Sequence, residues 1–117
     1  MAITLYGITN CDTVKKARAF LSDNGVEYAF HDFRKQGLPE KHLDAWLKAI
    51  GWEKLLNRKG TMWRKLDPAE QASVGDAASA RKVMLAEPRV IKRPVVEWGP
   101  ETTVGFDADA WAKRLRL

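Results

Sequence analysis

The stretch ITLYGITNCDTVKKARAFLSDNGVEYAFHDF, residues 3–33, changes its hydrophobic period twice. Ile3 and Leu5 alternate with Thr4 and Tyr6, the two-residue repeat of a strand, and Gly7 follows as a strand exit. From Cys11 to Asn24 the apolar residues Val14, Ala17, Phe20 and Leu21 recur at three and four positions, the repeat of a helix with one buried face. Gly25 stands where a left-handed residue would end that helix. Glu27 to Phe33 is short and rich in aromatics, bounded by Gly25 and by Arg34-Lys35-Gln36-Gly37, and reads as a second strand. Strand, helix and strand at this spacing predict a right-handed parallel unit.

Downstream the punctuation is helical. Pro39 suits a first turn, Leu43, Trp46, Leu47 and Ile50 share a face, and Gly51 ends that helix. Trp52–Leu56 adds one more turn, and Asn57-Arg58-Lys59-Gly60-Thr61 reads as a loop. Asp67 caps a short helix from Pro68 to about Ser73. Asp76 caps another through Glu87, with Ala77, Ala80, Val83 and Met84 inward, and Pro88 cannot continue it. Pro94–Trp98 and Thr102–Gly105 form a hairpin about Gly99-Pro100-Glu101, and Asp107 caps a last helix with Ala108, Trp111 and Leu115 on one side. The order βαβ, helices, ββα predicts an α/β fold: one mixed four-stranded sheet flanked by helices.

The 117 residues suit a single domain, and 45% apolar content with five tryptophans supports a folded core. No apolar run is long enough to span a bilayer, and the opening residues lack the basic and small-residue pattern of a leader, so a cytoplasmic location and no membrane partner are expected. One cysteine excludes both a disulfide scaffold and an internal C-x-x-C pair, so any disulfide involves a second molecule. A net charge of +5 suits an anionic partner, although an evenly spread excess of cations is ordinarily a solvated surface.

Cys11 sits at a strand-to-helix turn, where unpaired amides and the positive end of the helix dipole favour a thiolate. Asn10 and Asp12 make this turn polar, and Lys15, Lys16 and Arg18 belong to the solvated side of the helix. The competing reading is a small, inert, buried cysteine. Arg58 in the basic loop and Arg93 before Pro94 carry planar forks suited to carboxylates and oxyanions. The Arg93–Pro94 bond is a candidate cis peptide; alternatively Pro94 simply opens an edge strand and Arg93 is a surface charge. Cys11, His31 and His42 have no metal-ligand spacing, and no metal is expected. Arg58, Lys59, Arg64 and Lys65 surround only Met62 and Trp63, a weak signal for nucleic acid, which is not an expected partner.

Tyr6-Gly7-Ile8-Thr9-Asn10-Cys11-Asp12-Thr13, Lys15-Lys16-Ala17-Arg18, the Asn57–Thr61 loop and Ile91-Lys92-Arg93-Pro94-Val95 together resemble the arsenate reductase, Spx and YffB superfamily, in order and over essentially the whole chain. The string N-C-D-T-x-K-K-A-R is similar to the YffB branch. The resemblance implies a thioredoxin-like fold in one domain with a helical insertion at about 38–87. It further implies a nucleophilic Cys11, with Arg58, Arg93, the cis proline Pro94 and Asn10 on the substrate side. The implied activity is that of a glutathione-dependent thiol reductase: glutathione as co-substrate, an oxidised small-molecule or protein thiol as substrate, and glutaredoxin as a further partner. Two positions depart from the arsenate reductases: Gly7 replaces a histidine after the first strand, and Phe106 replaces a third arginine. Arsenate reduction proper and an Spx-like regulator binding RNA polymerase are the alternatives. Val14, where many Spx proteins have a second cysteine, argues against an internal disulfide switch.

Overall fold

A computed structural model of the chain describes residues 2–117. The chain divides into two compact units, one formed by residues up to Gly37 together with Arg93–Leu117, the other by Leu38–Lys92. The first contains β1 (Thr4–Gly7), α1 (Asp12–Asp23), β2 (Ala29–Asp32), α2 (Phe33–Gln36), and after the second unit β3 (Val95–Glu97), β4 (Thr102–Val104) and α8 (Ala108–Leu115). The second contains α3 (Glu40–Ile50), α4 (Trp52–Leu55), α5 (Thr61–Arg64), α6 (Pro68–Ala72), α7 (Ala77–Ala86) and a 3-10 turn at Pro88–Val90.

The first unit is built on a four-stranded sheet in the order β2-β1-β3-β4. β1 pairs parallel to β2, and β3 runs antiparallel to both β1 and β4. Because side chains alternate across a strand, Leu5 and its partner Val96 share one face while Tyr6 and Val95 share the other. Leu5 and Val96 meet Val14, Ala17 and Leu21 of α1, together with Trp98, just after β3, and Trp111 of α8. Around Trp111 the rings pack edge to face, with centroids 4.9 Å from Trp98 and 4.8 Å from Phe106. Phe20 reaches the same cluster from α1, 6.1 Å from Trp111.

α1 ends as its sequence predicts. Gly25 takes φ +67°, Val26 N–H donates to the Leu21 carbonyl at 2.9 Å and Gly25 N–H to Ser22 at 3.1 Å, the paired bonds that close a helix through a left-handed residue. The second strand is shorter than the aromatic run suggests. It stops at Asp32, whose carboxylate accepts from Arg34 N–H at 2.8 Å, while Gln36 Oε1 accepts from Asp32 N–H at 3.0 Å. This reciprocal cap turns Phe33 into the first residue of α2 rather than the last of a strand.

In the second unit α3, α4 and α7 touch one another, burying Leu43, Trp46, Leu55, Ala80, Val83 and Met84. Arg81 of α7 reaches α3, donating to Asp44 at 2.6 Å and Glu40 at 3.2 Å. Asp76 opens α7 with a full capping box made with Ser79, a serine in the position more often held by glutamate. The predicted loop after α4 is shorter than expected, because α5 begins at Thr61. Among the described residues no helix is long and apolar enough to cross a membrane.

Candidate active site

Cys11 is the N-cap residue of α1, with extended backbone at φ −103° and ψ 123°, and its carbonyl accepts the first helical bond from Lys15 N–H at 2.9 Å. The side chain makes no capping bond, the thiol is free and partly buried, and its inner side packs on the core between β1 and α1. The first-turn amides of a helix lack intrahelical acceptors, and with the dipole they favour negative charge at this point. Asp12, exposed on the same turn, shares that field.

Gly7, three residues before Asn10, is a glycine for want of space. A Cβ there would stand 2.8 Å from Cγ2 of Val14, which is fully buried. Val14 and Gly7 are therefore one contact: the side chain that occupies the second position of a would-be C-x-x-C pair fills the room above the end of β1. A larger residue at position 7 requires Val14 to move.

The register collects the other first-unit positions at this end of the sheet. Tyr6 pairs with Val95, so Pro94 lies just beyond the last β1–β3 pair, level with the end of β1. The Arg93–Pro94 peptide is cis. The Pro94 carbonyl accepts from Gly105 N–H at 2.8 Å, which brings the end of β4 and Phe106 to the same edge. Arg93 is half-buried, with its Nε atom shielded from solvent, and Asn10 is exposed. Phe106 turns its ring into the aromatic cluster, 5.6 Å from Phe20, so this corner is apolar.

Arg58 belongs to the second unit, at the tip of the basic loop. Its guanidinium lies 5.4 Å from the centre of the Trp52 ring and 4.0 Å from Glu53, and it remains largely exposed.

Arg18 departs from the expectation of a solvated cation. Its guanidinium lies 4.0 Å over the Phe30 ring and its Nε donates to the Tyr28 hydroxyl at 2.9 Å, pinning α1 to the strand region beside it. Only Lys15 and Lys16 stay exposed. A basic residue seven positions after the thiol and two aromatics spaced by two were visible in the sequence; that they meet was not.

Two further groups near this sheet were not singled out from sequence. Asp32 is a buried carboxylate at the end of β2, paired in register with Gly7, and the cap of α2 satisfies it. Tyr6 donates to Glu97 at 2.8 Å and its ring lies tilted against His31, centroids 5.1 Å apart; burial foremost, then the bond to Glu97, pushes its phenol well above the ordinary tyrosine range. Among the described residues no group of three or more His, Cys, Asp and Glu side chains is placed to hold a metal ion.

A sheet of this order, with a cysteine at the start of the first helix and a cis-proline at the head of the third strand, defines a thioredoxin-like, arsenate reductase-like thiol oxidoreductase fold. Residues 6–114 match the ArsC family, and the chain belongs to it. A solved YffB protein is 50% identical with a TM-score of 0.89, covering 95% of this chain and 96% of its own. An arsenate reductase-related protein of Brucella melitensis is also 50% identical, TM-score 0.77, covering 100% and 97%. An uncharacterized protein of Haemophilus influenzae is 40% identical over 105 residues, 90% of this chain and 91% of its own.

Proposed function

We propose that the protein is a glutathione-dependent thiol reductase with Cys11 as its nucleophile. The observation that carries this reading is the free, partly exposed thiol at the start of α1, whose side chain makes no capping bond. In the proposed cycle the Cys11 thiolate attacks the glutathione-side sulfur of a glutathionylated small-molecule or protein thiol. The old S–S bond breaks, the substrate leaves as a thiolate and takes up a proton, and Cys11 is left in a mixed disulfide with glutathione. A second glutathione thiolate attacks that disulfide at the glutathione sulfur, expels the Cys11 thiolate and departs as oxidised glutathione. A chain with one cysteine needs this external resolving thiol, a role that glutaredoxin could also fill.

Arg93 is assigned to a carboxylate of glutathione, the role that the family resemblance implies for Arg58 as well, and Pro94 and Asn10 to its backbone beside the sulfur. The apolar setting of Phe106 supports glutathione over arsenate. A small oxyanion that loses one charge-assisted bond forfeits about 1.5–3 kcal/mol, whereas glutathione spreads its recognition over two carboxylates and a peptide backbone. Incubation with oxidised glutathione should add one glutathionyl group to the intact protein and none to Cys11→Ser, and excess reduced glutathione should remove it. A parent protein that stays unmodified would overturn the assignment.

A further inference from the structure

The positive charge of this protein is concentrated. Lys54, Arg58, Lys59, Arg64 and Lys65 fall within residues 54–65, which contain no acid; the remaining fifteen cations are balanced by fifteen acids. The net +5 is thus the charge of one segment of the second unit.

That segment is held in shape. Gly60 N–H donates to the Asn57 carbonyl at 3.3 Å, closing a turn with Arg58 and Lys59 at its tip, and a Cβ on Gly60 would meet the Asn57 side chain at 2.7 Å. One end is fixed by Asn57 N–H to Val90 and Lys92 N–H to Leu55, both 2.8 Å. The other is fixed by Gln71, which donates to the Trp63 carbonyl at 2.7 Å. All five cations are exposed. Elsewhere in this unit Arg81 and Arg89 each bind carboxylates. Among the described residues no carboxylate stands within ion-pair distance of Lys54, Lys59, Arg64 or Lys65, and Arg58 has only Glu53 at the 4.0 Å limit.

We propose that this surface docks an acidic segment of a partner protein. A prebuilt turn carrying Arg58 and Lys59, flanked in the chain by the uncompensated Lys54, Arg64 and Lys65, offers charge complementarity at little cost in backbone ordering. Carboxylates fit better than bases. Arg58 already lies against Trp52, and Met62 and Trp63 are half-buried, so the surface presents point charges and guanidinium forks rather than open rings for stacking. The proposal does not depend on glutathione chemistry at Cys11.

The test measures binding of a fluorescent peptide rich in Asp and Glu by anisotropy, against a single-stranded oligonucleotide of equal charge. The triple variant Lys59→Glu/Arg64→Glu/Lys65→Glu should weaken peptide binding about tenfold or more. Lys16→Glu/Lys41→Glu/Lys82→Glu, which changes net charge equally at exposed sites elsewhere, should weaken it less than about twofold. If the first triple loses its circular dichroism signal, the glutamine triple at the same positions replaces it and should still weaken binding about threefold. Equal losses in the two sets, no binding by the parent, or tighter patch-dependent binding of the oligonucleotide would each overturn the proposal.

Discussion

The two units secure their polar groups differently. In the first, Tyr6 bonds Glu97 across 91 positions and Arg18 lies on aromatics ten and twelve residues away. In the second, most fastenings are local: Asp67 caps its helix two residues on, Asp76 and Ser79 box together, and Arg89 pairs with Glu87. Arg81 to Asp44 and Glu40, and the backbone bonds of Asn57 to Val90 and Lys92 to Leu55, are its long-range ties. A sheet is specified by register between distant segments, whereas short helices are specified by the residues at their own ends. The consequence reaches function: the sheet unit holds Cys11, Arg93 and Pro94 in fixed relation to the end of β1, while the helical unit leaves a block of cations uncompensated.

The largest way to break this contrast is Trp111→Ala. Trp111 is buried among Trp98, Phe106 and Phe20, and its removal should cost about 3–5 kcal/mol in urea-induced unfolding followed by circular dichroism. A surviving transition midpoint within error of the parent would mean that the aromatic cluster does not hold the sheet unit together.

Gly7→Ala comes next. The added methyl meets Val14, and about 1–3 kcal/mol of overpacking is expected, largely relieved in Gly7→Ala/Val14→Ala relative to the sum of the single changes. Additive effects in that cycle would show that the two residues do not share a contact.

Arg18→Ala removes both the hydrogen bond to Tyr28 and the ring contact with Phe30, and about 1 kcal/mol should be lost. Lys16→Ala, two residues away but exposed, should stay within about 0.5 kcal/mol of the parent. Equal effects would return Arg18 to the solvated side that the sequence alone suggests.

The finest contrast is in pH. Burial and Glu97 raise the Tyr6 phenol, so the stability it contributes is complete below the unfolded tyrosine value of about 10 and is lost as the pH rises beyond it. Tyr6→Phe should cost about 1 kcal/mol at neutral pH and flatten that alkaline limb. Asp76 runs the other way. Its bonds with Ser79 hold the carboxyl below the usual range, so its contribution is present above the unfolded value of about 4 and disappears as the pH falls through the folded one. Asp76→Ala should remove part of the acid limb and leave the alkaline limb untouched. Thermal unfolding across pH reads both, and a Tyr6→Phe protein with the parent's alkaline loss would refute the first assignment.

What the sequence by itself determined was everything carried by neighbours within about one helical turn. The cap of α1 at Cys11, its end at Gly25, the capped starts at Asp67, Asp76 and Asp107, and the turn at Gly99-Pro100 were all legible, because each bonds or bends within a few residues. The cysteine's place at a helix start was legible for the same reason. The end of β2 was misjudged although its cause was local: aromatic content argued for a strand through Phe33, while the Asp32–Gln36 cap, with its glutamine one position later than in the usual box, prevailed. Only the tertiary structure decided that Gly7 is a contact glycine beneath Val14, that Arg18 is held on Phe30, and that Phe106 faces Trp111. Those facts depend on which strands pair and in what register, and side chains far apart in the chain meet only once hydrogen bonding and apolar burial have chosen one alignment.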